Sequence, residues 1–285
     1  PSWVSYAPQA ILGRNKVKIL QTKRGNNWFP TAIEIEEIIL KDKSKNYLIF
    51  LNSPNNPSGQ ICENLKEISD IANKYNLIIL SDEIYSELSF GNKYESISNF
   101  CPEKTIISTG LSKWCGAGGW RLGYFIVPNS LEEIKNMINV LASETFSSVS
   151  APIQYAAIKA YENDHTKYID KSRNILKAVG EYVYKNLKSN KVLINKPQGG
   201  FYLMPEFLNN KFKSSSEMCD DILIKTGVVL LPGSDFGFDK TRMLVRLSFT
   251  DFDGKKFMDE TQNEQIINND LILKFAPKIV EGVDK

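Results

Sequence analysis

Short apolar runs rich in β-branched residues alternate with segments whose apolar positions recur every three or four residues. This alternation narrows the available folds more than any other feature of the chain. The runs KVKIL (16–20), YLIFL (47–51), LIILS (77–81), TIIST (105–109) and LGYFIV (122–127) have the length and composition of buried strands. Between them AIEIEEIILK (32–41) and ENLKEISDIANKY (63–75) carry the helical period. Strand, helix and strand in that order predict βαβ units, hence an α/β fold around a mostly parallel sheet. From about residue 130 to 187 the pattern is helical, ending in the long KYIDKSRNILKAVGEYVYKNL. Short strands then return (KVLIN, GFYLM, VVLLP, RMLVRLSF), interleaved with SSSEMCDDILIKTG and a last helix near 264–275. The expected division is a large domain over 1–165 and a smaller α+β C-terminal domain over 166–285 that includes the bridging helix.

Composition mainly excludes. At 285 residues and 42% hydrophobic, the chain can bury a sizeable core. The formal charge of +2 is spread without blocks, so neither a nucleic acid nor a membrane surface is an expected partner. Cys62, Cys101, Cys115 and Cys219 are far apart and His165 is the single histidine, so no metal cluster is expected. No apolar run reaches the roughly 18 residues that span a bilayer, and no signal pattern opens the chain. The expected location is the cytoplasm, with reduced thiols. The first residues, PSW, have no methionine before them and read as a chain that begins in mid-domain.

Four loop stretches at strand ends hold the chemistry-bearing residues: NSPNNPSGQ (52–60), SDEIYSE (81–87), STGLSKWCGAGGWRLGYF (108–125) and MLVRLSF (243–249). Such ends are where α/β proteins build sites. Lys113 follows Ser112 in a loop of small residues after a buried strand. Partial desolvation there would lower its pKa and let the amine condense with a carbonyl; the alternative is a solvated loop lysine. Asp82 ends an apolar strand, so its carboxylate needs a cation, such as a protonated ring nitrogen, or else serves as a helix cap. Tyr85, three residues on, faces the same side or is a core tyrosine. Asn56 lies in a turn fixed by Pro54, Pro57 and Gly59, where its amide could meet a phenolic oxygen. Arg121 follows Gly118 and Gly119, which leave room for a phosphate dianion; a structural ion pair is the alternative.

The order N-N-P-S-G, D-x-x-Y, S-K, G-W-R-L-G and a late R-L-S resembles the class I/II aminotransferases. These are pyridoxal-phosphate enzymes of the aspartate-aminotransferase-like fold type I, and the resemblance covers nearly the whole chain. It implies a three-layer fold-type I architecture, a homodimer, and transfer of an amino group between an L-amino acid, aspartate among the candidates, and a 2-oxo acid. It implies that Lys113 bonds covalently to the cofactor and carries the proton, that Asp82 pairs with the pyridine nitrogen, and that Asn56 and Tyr85 bind the ring oxygen. Arg121 would take the phosphate, Arg246 the substrate α-carboxylate, and Trp3 would lie against the cofactor facing the substrate. Where the family often has a phosphate-binding serine three residues before the lysine, this chain has Gly110. Ser108, Thr109 or Ser112 takes that role, or none does. The family also carries an N-terminal glycine-rich phosphate loop ahead of PSW, so the chain as given is expected to hold the cofactor weakly or incompletely. The rival readings are another fold-type I chemistry, a C–S lyase or a synthase, and a non-catalytic protein that keeps the fold.

Overall fold

The computed structural model describes residues 1–285 apart from 92, 93, 209, 210, 263 and 265. Helix α1 (Tyr6–Leu12) and α2 (Ala32–Lys41) precede β1 (Leu48–Asn52), α3 (Leu65–Tyr75), β2 (Ile78–Asp82), β3 (Thr105–Gly110) and β4 (Gly123–Ile126). The four strands form one sheet in chain order, parallel through β1–β2–β3 and antiparallel at β4. Helix α2 starts with a reciprocal cap in which Thr31 Oγ1 accepts from Glu34 N at 3.2 Å and Glu34 Oε2 accepts from Thr31 N at 2.8 Å. Such a cap contributes about 1 kcal/mol. The apolar stripes of α2 and α3 bury Ile35, Ile39, Leu65, Ile68 and Ala72 against Leu51, Leu77 and Ile79 of the sheet side.

The sequence expectation of a strand over 16–20 is not met. That segment pairs with no strand among the described residues, and Ile19 is 61% exposed. Alternating Lys16, Val17, Lys18 and Ile19 gives the pattern of a strand edge, but a strand also needs a partner for its N–H and C=O groups.

Beyond the sheet come α4 (Glu132–Thr145), α5 (Ala151–Glu162) and the long α6 (Thr166–Leu187). Then follow β5 (Val192–Leu193), β6 (Tyr202–Leu203), β7 (Glu206–Phe207), α7 (Ser215–Thr226), β8 (Leu231–Pro232), β9 (Val245–Ser248), α8 (Gly254–Glu260), α9 (Asn269–Phe275) and α10 (Pro277–Asp284). Strand β9 lies between β6 and β8, antiparallel to both. A second core joins Ile175, Val179 and Val183 of α6 to Leu203, Phe249, Phe257 and Phe275, and continues to Tyr85 and Leu88 just past β2. This continuity brings β6 and β9 against the loop ends of the sheet.

The turn after β1 makes the tightest junction. Gly59 sits at φ +67°, and its carbonyl accepts from Gln198 N at 2.8 Å and Gly199 N at 3.1 Å. A Cβ on Gly59 would lie 2.2 Å from the Tyr202 carbonyl oxygen. Gly59→Ala therefore combines left-handed backbone strain with a backbone collision, and is expected to destabilise the fold by at least about 2 kcal/mol. A thermal-unfolding scan should show the midpoint falling by about 4 °C or more.

Candidate active site

The C-terminal ends of the parallel strands align the polar groups. In register, Asn52 of β1 stands beside Asp82 of β2, and Asp82 beside Ser108 of β3. Asn52 braces both neighbours: its Nδ2 donates to the Asp82 carbonyl at 2.9 Å, and its Oδ1 accepts from Asn56 N at 2.7 Å. Asn56 is thereby held in the turn that follows β1, with the Ser53–Pro54 and Asn56–Pro57 peptide bonds both cis.

Asp82 is half-buried. Its Oδ2 accepts from the Tyr6 hydroxyl at 2.5 Å, and its Oδ1 accepts from Ile84 N at 3.2 Å. Burial raises its pKa, while Tyr6, the Ile84 amide and the charge of Lys113 oppose the rise. The turn at 83–85 then points the buried Tyr85 toward Lys113, whose Nζ lies 5.6 Å from the centres of the Tyr85 and Phe201 rings. Burial lowers the Lys113 pKa, helped by the positive charges of Arg246 and Arg121 and opposed by Asp82. Among the described residues Lys113 makes no ion pair. It is therefore a desolvated amine of reduced basicity rather than a solvated loop lysine.

Arg246 reaches the same place from β9. Its Nη1 donates to Asn56 Oδ1 at 3.0 Å, and its guanidinium carbon lies 4.4 Å from the Tyr202 ring centre and 5.0 Å from that of Phe236. Lys113, Asp82, Tyr85, Asn56 and Arg246 thus converge. Arg121 is exposed at φ 55°, and its Nη1 donates to Gly118 O at 2.7 Å within its own turn. No carboxylate among the described residues pairs with it. Ser112 is half-buried beside Lys113. Trp3 is 38% exposed and packs edge-on against Tyr6 with ring centres 5.5 Å apart.

Gly110 has a structural reason. It pairs across β3 and β4 with Gly123, and a Cβ there would lie 2.6 Å from Leu122 O and 2.8 Å from Gly123 Cα. A serine cannot stand at this position unless β4 moves. Gly110→Ser is accordingly expected to lower stability by about 1–3 kcal/mol rather than add a useful hydroxyl, which thermal unfolding of the variant would read.

Sequence reasoning missed Tyr6, Asn52, Phe201 and Tyr202. Tyr6 carried a usable signal, a tyrosine three residues after Trp3, and Asn52 carried another, a polar residue closing an apolar strand.

The family model for aminotransferase class I and II matches residues 1–256. The chain belongs to that family. Aspartate aminotransferase of Thermotoga maritima is 33% identical over 256 residues, covering 87% of this chain and 63% of the relative. Aromatic-amino-acid aminotransferase 2 of Thermococcus litoralis is 32% identical, over 83% of this chain and 61% of the relative. The chain thus spans somewhat less than two thirds of the length of these family members. Among solved structures, the Thermotoga maritima aspartate aminotransferase aligns over 100% of this chain and 66% of its own, with TM-score 0.79 and 28% identity. The aromatic aminotransferase of Pyrococcus horikoshii aligns over 87% of this chain and 66% of its own, also at TM-score 0.79 and 28% identity. The fold is that of the aspartate-aminotransferase-like enzymes, α/β with a mostly parallel central sheet. No helix among the described residues is long and apolar enough to cross a membrane.

Proposed function

We infer that the protein is a pyridoxal-phosphate-dependent aminotransferase that moves an amino group between an L-amino acid, with aspartate the first choice, and a 2-oxo acid. The observation that carries this reading is the Lys113 amine, of lowered basicity, near the half-buried Asp82 carboxylate and the Arg246 fork. Family membership and relatives named aspartate aminotransferase support it.

The residues fit the cofactor. Burial works against the charge on Asp82, and a protonated ring nitrogen opposite would restore it. When bound, pyridoxal phosphate supplies an aldehyde for the amine exchange and a ring that takes up the electrons of the substrate Cα–H bond. Lys113 Nζ would hold the cofactor, and the same amine would accept the substrate α-proton and return it. Asp82 would keep the ring nitrogen protonated, with Tyr6 orienting the carboxylate. Tyr85 and Asn56 would donate to the ring oxygen. Arg121, with Ser112, would take the phosphate, and Trp3 would shield the substrate. Arg246 grips the α-carboxylate with the edge of its fork that Asn56 leaves free.

In this reading residues 1–165 form the cofactor-binding domain and 166–285 a small domain that brings Arg246. The working unit is a homodimer, as the resemblance implies, and exposed Met137, Val140 and Leu141 on α4 offer apolar surface to a second copy. The free thiols of Cys62, Cys101, Cys115 and Cys219 suit the cytoplasm. The test is a visible spectrum with pyridoxal phosphate, followed by aspartate, alanine and phenylalanine as donors. A visible band that aspartate bleaches most readily is expected; a band that no donor bleaches would overturn the transferase reading.

A further inference from the structure

We propose that Tyr202 is a positioning residue that ties the carboxylate-binding arginine to the tyrosine beside the reactive lysine, an inference that rests on the functional reading above. Tyr202 is buried on β6, opposite Ser248 of β9. Alternation puts Arg246, two residues before Ser248, on the same face as Tyr202 and diagonal to it. The two meet: the guanidinium carbon lies 4.4 Å from the Tyr202 ring centre. The Phe236 ring approaches the same guanidinium at 5.0 Å, and Asn56 Oδ1 takes one of its N–H groups. A guanidinium so flanked keeps one plane, and that plane sets the angle at which its remaining N–H groups meet a carboxylate.

The other end of Tyr202 faces Tyr85. Their rings stand 76° apart with centres 6.0 Å from each other, an edge-to-face contact. Tyr85 in turn lies beneath Lys113. The backbone at 202 is itself fixed, because its carbonyl presses on the turn at Gly59 in the same stretch as Asn56. One side chain therefore touches both halves of the site: its ring orients Arg246 for the carboxylate and packs edge-to-face on Tyr85, which it orients for the cofactor ring.

Two variants separate the ring from the hydroxyl. Tyr202→Phe keeps the ring and removes the hydroxyl; Tyr202→Leu removes both. The readouts are the affinity for maleate, an unreactive dicarboxylate, by calorimetry with and without pyridoxal phosphate, and the pH midpoint of the visible band of the loaded protein. Arg246→Gln, which should abolish maleate binding, identifies the site being read. Loss of the cation–π contact is expected to weaken maleate binding about tenfold or more in Tyr202→Leu, whereas Tyr202→Phe stays within about twofold of the parent. Tyr202→Leu should also move the band midpoint, and Tyr202→Phe, which keeps the ring, should leave it near that of the parent. A residue that only fills the core would lower the unfolding temperature and leave both readouts unchanged, and that outcome would overturn the proposal. Failure of the parent to form a visible band counts against the cofactor reading instead; the maleate comparison without cofactor then decides the arginine contact by itself.

Discussion

Lys113→Ala is expected to lower turnover by at least about 10⁴-fold, because a single amine serves as both the covalent anchor and the proton carrier. The fold should survive. Burial and the charges of Arg246 and Arg121 lower the Lys113 pKa, so the charged form is disfavoured in the folded protein. The folded state therefore holds fewer protons than the unfolded state between the lowered and the ordinary lysine pKa. Stability contributed by the neutral amine is gained as pH rises through that window. Below it the cation costs stability, and alanine should unfold at or above the parent's temperature at neutral pH. The same shift governs reactivity: combination of the protein with pyridoxal phosphate should rise with pH at a midpoint below that of a free lysine. Removing the guanidinium with Arg246→Gln should move that midpoint upward, since Arg246 is the second-largest cause of the depression. A rate-against-pH series on parent and variants measures the turnover loss and both midpoints, and melting curves at neutral pH measure the stability effect. Lys113→Ala with parental turnover would refute the assignment.

Asp82→Asn is the second large effect. Asparagine has nearly the same shape: its Oδ1 can still accept from the Ile84 amide while its Nδ2 donates to the Tyr6 hydroxyl oxygen, so the turn after β2 should persist. It cannot carry the negative charge that holds a ring nitrogen protonated. Turnover is expected to fall at least about 100-fold, the scale of losing a buried charge-assisted hydrogen bond made to the reacting system. Stability should move the other way. Burial raises the Asp82 pKa, so the folded state binds more protons than the unfolded state between the ordinary and the raised value, and the aspartate loses stability as pH rises through that interval. At neutral pH the asparagine variant without cofactor should therefore melt higher than the parent. The gap should close as pH falls to the ordinary carboxylate range. Paired melting curves at neutral and acidic pH test the sign, and a variant that is both inactive and destabilised at neutral pH would contradict it.

What could be read from sequence was local, and what could not was remote. Lys113, Asp82, Tyr85 and Asn56 stand in short loops directly after apolar strands, so their strings announce both a strand end and a chemical group. The strands themselves were readable at 47–51, 77–81, 105–109 and 122–127 because a parallel sheet buried by helices leaves unbroken apolar runs. The supporting contacts lie far apart along the chain. Tyr6 reaches Asp82 across 76 residues, and Arg246 reaches Asn56 across 190. Tyr202 lies beside Arg246 only once β6 pairs with β9, a register that two-residue strands do not declare. Helix α1 buries no residue completely, which removes the periodic stripe by which helices are found. At the C-terminus, the last helix expected near 264–275 is α9, and a further helix, α10, opened by Pro277, follows it unforeseen. Gly110 shows the reverse relation. Its departure from the serine common in the family was plain in the sequence, but the reason lies in the close approach of Leu122 and Gly123.

The central claim is that the Lys113 amine is the group that bonds to the carbonyl of the cofactor. Incubation with pyridoxal phosphate, reduction with borohydride and peptide mass mapping test it directly. The account predicts that the phosphopyridoxyl mass is found on the peptide containing Lys113 and is lost from it when Asp82 and Tyr85 stay intact but Lys113 is replaced by alanine. Stoichiometric label on another lysine, with Lys113 unmodified, would contradict it.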